Sequence, residues 1–465
     1  MNQRSRIETP KAPRNERQRV APVSGCLAPR RPQGAPEGAS GRYSRLFPDL
    51  PPLGPAPEAL IALGRRGGVC DGGTVAREAT IAAGWPFFGQ FVAHDITADR
   101  SPLERADHGA VSNERSPRLN LESVYGAGPA GSPYLFDADD PAKFLLSDCG
   151  ADVPRTRQGV AIIADPRNDS HAFMAAMHLA FLKAHNRFVD AARARGIAEG
   201  EVFDSARRSL TWHYQWTVAR DFLPGLVGAD LVAAIEAGAA SLPLPAGLTL
   251  PYEFADAAYR YGHAQIRQSY RLQVGGPERA LFPDLLGFRP VTADRAVDWR
   301  VLFDGAPGVV AQRATRISER LPAALIALPE AVTGAVREAG YRSLANRDMQ
   351  RGTVTDLPSG EAVARALGLV PLDAAAIALP DWAGETPLWY YIVREADTLG
   401  NGDRLGPVGG RIVAGVLLSL LERDPASYRS MEPGWQPEIA PVTGDPARFS
   451  LFDLLLFGDL SPARR

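Results

Sequence analysis

Three short segments hold the residue types from which a redox or hydrolytic site could be built. The first is Gly84-Trp-Pro-Phe-Phe-Gly-Gln-Phe-Val-Ala-His-Asp. On a helix, Gln90 and His94 stand four apart on one face, with Asp95 about a quarter-turn away. An imidazole titrates near neutrality and suits general acid–base work. The same His94 also reads as an ordinary core histidine satisfied by a neighbour, and His94-Asp95 as the bare HD pair of a metal-dependent phosphohydrolase. That last chemistry needs further ligands, and none of the remaining histidines stands in an HxxxH or HxxE frame. His178 and His185 lie seven apart, too wide for easy chelation, and are expected to be core or supporting groups.

The second segment is Ala164-Asp-Pro-Arg-Asn-Asp-Ser, just ahead of a long apolar helix. An arginine there is usually a surface or capping feature, but Arg167 is also a fixed cation that a nearby acid–base group could use. The third is Ala258-Tyr-Arg-Tyr-Gly-His-Ala-Gln-Ile-Arg, where Gly262 bares one side of the chain beside His263 and lets a flat cofactor approach. Arg260, three residues before His263, lies on a neighbouring face where it could meet a carboxylate.

These segments need a scaffold, and the patterning is mainly helical. Helices are predicted over Glu78–Ile96, Ser170–Arg195, Glu201–Phe222, Leu231–Ala237, Tyr252–Gln268, Leu321–Leu328, Ser359–Leu367, Pro387–Thr398 and Gly406–Glu422. Strand signals are thin, with short runs at Val160–Ile163 and Leu272–Val274. Long Pro/Gly-rich loops over 100–154 and 272–307 would be out of place in a simple bundle and suit a binding role. Residues 1–41, rich in Pro, Arg, Gly and Ser, cannot bury enough apolar surface to order themselves and are expected to be a disordered tail. The expectation is one large α-helical domain over 42–465.

With 465 residues, 45% hydrophobic and 22% charged, the composition is that of a soluble globular protein. A net charge of −2 calls for no nucleic-acid or anionic-membrane partner. Three scattered cysteines make neither a disulfide framework nor a CxxC knuckle. No apolar run suits a secretory signal or a membrane span, so the cytoplasm is the expected compartment, with signal-independent export left open. Oligomeric state is not encoded in any of this.

Taken together and in order, the segments resemble the animal haem peroxidases of the peroxidase–cyclooxygenase superfamily, most closely bacterial ones. The likeness runs from about Tyr43 to Tyr428 and also takes in Asp348-Met-Gln-Arg351 with Leu357-Pro358, and Arg404-Leu-Gly-Pro-Val-Gly-Gly-Arg411. It implies a haem b enzyme that reduces hydrogen peroxide and oxidises a small organic donor or a halide, with a part in the response to oxidative stress. His94 and Gln90 match the distal pair, Arg167 the distal arginine and His263 the proximal iron ligand. Arg260 and Arg351 would then pair with haem propionates. The asparagine that orients the proximal histidine in the family is replaced by Asp348, whose alternative is a salt bridge with Arg351.

The resemblance also implies calcium, held by Asp95, Ser116, the Arg118 carbonyl, Asn120 and Glu122, all oxygen donors. The alternative there is a polar loop packed on the distal helix. Mammalian members esterify haem through residues whose positions here are Ala93 and Ser170, and the neighbouring position that can form a sulfonium link is His171. Haem is therefore expected to be non-covalent. The tyrosine that makes the oxygenase branch attack fatty acids falls at Arg260, which favours peroxidase over fatty-acid dioxygenase.

Overall fold

Gly84 starts the helix that carries His94, because no side chain fits there: a Cβ would overlap the ring of Phe303. In this computed structural model the helix spans Trp85–Ile96, with Pro86 in the first turn, where a missing N–H costs nothing. Phe87, Phe88, Phe91, Val92 and Ile96 are buried, and Phe91 packs on Phe181 and Tyr214. The described residues are 43–459 except 76, 98–112, 337, 380–381 and 446–447; the tail expected over 1–41 lies outside them.

The predicted helix started too early. Glu78–Ala82 is a strand, antiparallel to Arg313–Thr315. Its side chains are buried on alternate positions at first, and the β-branched pair Thr80-Ile81 suits a pleated surface.

The molecule is mainly helical, as expected. Its core is the long helix Ala172–Ala194, packed against Glu199–Thr217 and Leu451–Asp459. Glu199–Thr217 runs on through a π-helical turn, Val218–Phe222, into Leu223–Val227. Leu388–Gly400 and Pro407–Arg423 form the opposite wall, close to prediction. So do Ala229–Glu236 and Gly360–Ala366, while the helix predicted at Leu321–Leu328 shrinks to Ala323–Ile326. Among the described residues, three helices of eight or more residues went unpredicted: Pro57–Gly64, Leu344–Val354 and Leu451–Asp459. No helix among the described residues is long and apolar enough to cross a membrane.

The segment around His263 departs most from prediction. Instead of one helix over Tyr252–Gln268, a single turn at Tyr252–Ala255 breaks at Ala257 and resumes as a 3₁₀ stretch, Ala258–Gln265. Such tight pieces are set by tertiary context rather than by propensity. Here the context is the His94 helix on one side and Leu388–Gly400 on the other. Of the two predicted strand runs, Leu272–Val274 is displaced to Ser269–Arg271, paired with Glu278–Ala280. Val160–Ile163 contributes only an isolated bridge between Ala161 and Arg155.

Candidate active site

His94 and Gln90 lie on one face of their helix, as their spacing requires. His94 Nδ1 sits 2.8 Å from Asn168 Oδ1, and Asn168 Nδ2 is 3.0 Å from His178 Nδ1. The chain His94–Asn168–His178 is buried throughout and fixes the plane of the His94 ring. With Nδ1 donating to Asn168, Nε2 is left as the basic nitrogen. Burial first, and the Arg167 charge second, lower the His94 pKa to about 4, so the ring is neutral at ordinary pH. Gln90 Oε1 lies 2.8 Å from Nε2 of a second histidine, His171.

Arg167 is held more firmly than expected. Its Nε and Nη2 bond to the carboxylate of Asp165, and Nη2 also donates to the carbonyls of His94 (3.0 Å) and Thr97 (2.8 Å). Its charge is thus balanced by Asp165 rather than standing alone, because a guanidinium this far from water needs a counter-charge. None of these bonds uses Nη1. Burial pushes the Asp165 carboxyl upward, but the bonds and charge of Arg167, with Arg115 behind them, outweigh it and hold Asp165 well below the usual range.

Below this arm, Arg155 grips both Asp152 and Asp169, with its side chain only 7% exposed. The 272–307 loop is pinned on from outside: Phe288 N donates to Asp169 O, Gly287 N to Ser170 O, and Ala172 N to Leu285 O.

His263 lies on the 3₁₀ stretch that packs against the His94 helix. Its Nδ1 is 2.6 Å from Asp348 Oδ2, and Asp348 is fully buried while the His263 side chain is 32% exposed. Leu344–Val354, the helix that the sequence did not reveal, carries Asp348 to this place. Arg260 Nη1 lies 3.3 Å from Asp348 Oδ1, and Arg260 Nη2 lies 3.7 Å from Asp256. Arg351 Nη1 is 3.9 Å from the same Asp256. The two arginines expected to face propionates therefore face protein carboxylates. Asp256 and Asp348 are wholly buried and require compensating cations.

Comparison with known proteins gives a family likeness for part of the chain and a fold likeness for most of it. The family model for animal haem peroxidase matches residues 118–284, a stretch that contains Arg167 and His263 and begins after His94. Thyroid peroxidase of Mus musculus is 24% identical over 270 residues, covering 52% of this chain and 29% of that protein. The chain thus spans less than a third of the curated relative it matches. Peroxidase A of Dictyostelium discoideum shares the fold with a TM-score of 0.64 at 14% identity, over 91% of this chain and 95% of that one. Residues 118–284 are thus similar to the animal haem peroxidases. Fatty acid α-dioxygenases of Arabidopsis thaliana and Oryza sativa share the fold too, with TM-scores of 0.60 and 0.58 at 14% and 16% identity, each over 87% of this chain and 76% of theirs.

The likeness to haem peroxidases implies haem, and the residues present fit it. With Nδ1 of His263 anchored on a buried carboxylate, Nε2 is the ring's remaining ligand atom. A Cβ built on Gly262 would meet nothing within 4 Å, so there is open space beside the ligand.

Calcium does not fit in the same way. Ser116, Asn120 and Glu122 do cluster: Ser116 Oγ donates to Glu122, and Asn120 bonds to both Ser116 Oγ and the Glu122 N–H. But both oxygens of Asp95 are engaged by the N–H groups of Leu121 and Ser123, and the charge facing Glu122 is the Arg115 guanidinium, which also bonds Asp165 at 2.7 Å. Arg118 uses its side chain on Asp424. Among the described residues no cluster of three His, Cys, Asp or Glu is disposed to hold a metal ion. Asp95 of the HD pair serves the 121–123 turn. Burial raises the Asp95 pKa to about 6, only partly offset by those backbone bonds.

Several working residues escaped the sequence reading, namely Asn168, Asp165, Asp256 and Arg115, and His171 was noted only as a position that cannot form a haem link. Asn168 and Asp165 flank Arg167 in the quoted segment, but nothing local says which side chain turns inward. His178 and His185 are supporting groups, the latter bonded to Tyr125 Oη and the Ala142 carbonyl.

Proposed function

We propose that this protein is a haem b peroxidase that reduces hydrogen peroxide and oxidises a small organic donor or a halide. One feature carries the reading: two imidazoles on adjoining elements, each with Nδ1 anchored by a buried partner, Asn168 for His94 and Asp348 for His263. Anchoring one nitrogen dedicates the other to chemistry. His263 would hold the haem iron, and the bound haem would supply the two electrons that cleave the peroxide O–O bond.

The remaining work falls to the chain. His94 Nε2 takes the proton from one peroxide oxygen and returns it to the departing one, so that water leaves rather than hydroxide. Its low pKa keeps it ready to accept. Arg167 and the amide of Gln90 favour negative charge on the oxygens as the bond parts. Ala93, Ser170 and His171 offer no carboxylate or thioether for the links that mammalian members make, which supports a non-covalent haem.

The visible spectrum of the purified protein, before and after hydrogen peroxide, is the decisive measurement. A Soret band that shifts on peroxide addition and moves into acid–butanone is expected. His263→Ala should purify with little haem; full haem content and a native spectrum in that variant would move the iron to another ligand. Oxygen uptake with a fatty acid, without peroxide, would instead favour the dioxygenase branch.

A further inference from the structure

His171 occupies a place that the proposed mechanism does not use. Its ring packs between Phe87 (centroids 5.2 Å) and Phe173 (6.0 Å), and its Nε2 lies 2.8 Å from Gln90 Oε1. Among the described residues no hydrogen-bond partner reaches its Nδ1, an atom out of contact with solvent. We propose that His171 is a positioning residue that fixes the Gln90 carboxamide with its oxygen turned away and its NH₂ offered to the distal side, making Gln90 a donor to anions and to peroxide.

Proton accounting at the contact sets the orientation of the amide. A carboxamide oxygen only accepts, so the proton in the 2.8 Å contact belongs to His171 Nε2. A neutral imidazole has one N–H, and Nδ1 is then a bare acceptor. The reverse arrangement, with Gln90 donating to Nε2, would bury an orphaned N–H at Nδ1. Buried orphan N–H groups are rarer than under-satisfied acceptors. Burial first, then the nearby His94, holds the His171 pKa near 3, so one proton is all the ring carries. With Oε1 committed, the planar amide presents its nitrogen at the opposite edge. Without His171, the amide could flip and offer an acceptor, which would repel an anion.

This deepens the peroxidase reading and rests on it, so its test is a binding measurement rather than turnover. Fluoride titrated against the ferric holoprotein reports anion affinity through the Soret band. His171→Phe keeps the aromatic packing but cannot donate, and should weaken fluoride binding about three- to tenfold, the worth of one neutral hydrogen bond. His171→Gln, whose side-chain amide can donate to Oε1, should recover most of that loss. Gln90→Leu should bind fluoride weakly, and adding His171→Phe to it should cost nothing more. Unchanged affinity in His171→Phe, or additive losses in the double variant, would overturn the proposal. If the wild-type protein shows no Soret band, the haem reading fails separately. ¹⁵N shifts of labelled histidine in haem-free protein then still decide: an Nδ1–H tautomer at His171 overturns the assignment, and Nε2–H upholds it.

Discussion

His94 is neutral because it is buried and because Arg167 lies close; both lower its pKa, burial more, to about 4. An imidazole lowered in this way is a competent proton acceptor above that pH and loses the ability as pH falls through it. The rate of reaction with peroxide should therefore be flat above about pH 5 and drop near pH 4. Arg167→Met removes the second cause and leaves Asp165 to pull the other way, so the acid limb should move to higher pH; a limb that stays put would mean the guanidinium does not tune His94. His94→Ala should slow the same step by about 10²–10⁴-fold with haem content kept, as measured by stopped flow. On the other side, the Asp348 carboxylate draws the His263 Nδ1–H more strongly than an amide would, giving the imidazole more electron density to donate. Asp348→Asn keeps the shape and lessens that pull. Potentiometry should show the Fe(III)/Fe(II) potential rising, while an unchanged potential and Soret position would separate Asp348 from the proximal ligand's chemistry.

Between residues and whole molecule stands the arm Pro166–Asp169, which hands Arg167 and Asn168 to the His94 helix. Its stiffness comes from outside. The 272–307 loop lays the N–H groups of Gly287 and Phe288 on the carbonyls of Ser170 and Asp169, and Arg155 locks Asp169 from beneath. Gly287 is required by this closeness, since a Cβ there would run into the Asp169 carbonyl, well inside van der Waals contact. Gly287→Ala should thus cost about 1–3 kcal/mol, the usual range for overpacking, and shift the arm. Urea unfolding measures the first effect, and slower reaction with peroxide the second. A stable variant with normal peroxide kinetics would show that the loop does not brace the site. The long loop that sequence reading marked as unusual for a bundle is in this sense a part of the scaffold.

Over the molecule as a whole, five of the seven histidines have a lowered pKa: His94, His178, His185 and His213 to about 4, and His171 to about 3, each chiefly through loss of water around the ring. In the unfolded chain they would take up protons near pH 6.5. The unfolded state therefore binds more protons than the native state between about pH 6.5 and 4, and stability falls as pH is lowered through that window. Buried Asp95 and Asp221, raised to about 6, and Glu395, raised to about 7, oppose this, because the folded form takes up their protons first. Five lowered imidazoles outweigh three raised carboxyls, so Tm should be lower at pH 5 than at pH 7.5. An unchanged or higher Tm at pH 5 would contradict that balance.

Residue types and local periodicity determined a good deal by themselves. The four-residue spacing of Gln90 and His94, the glycine beside His263, and the apolar repeats of the long helices depend only on neighbours in the chain, and they carried the helical class and the family resemblance. Partners were another matter. Asn168 lies 74 residues from His94, and Asp348 lies 85 from His263. Asp348 even rides on a helix too polar to be noticed in the sequence. Which carboxylate claims Arg260, whether Arg115 or a calcium ion answers Glu122, and which edge of Gln90 faces the site all turn on burial. A charge or donor taken from water must be met by whatever group the fold brings within about 3 Å. Only the tertiary structure, by placing distant segments side by side, decided those pairings.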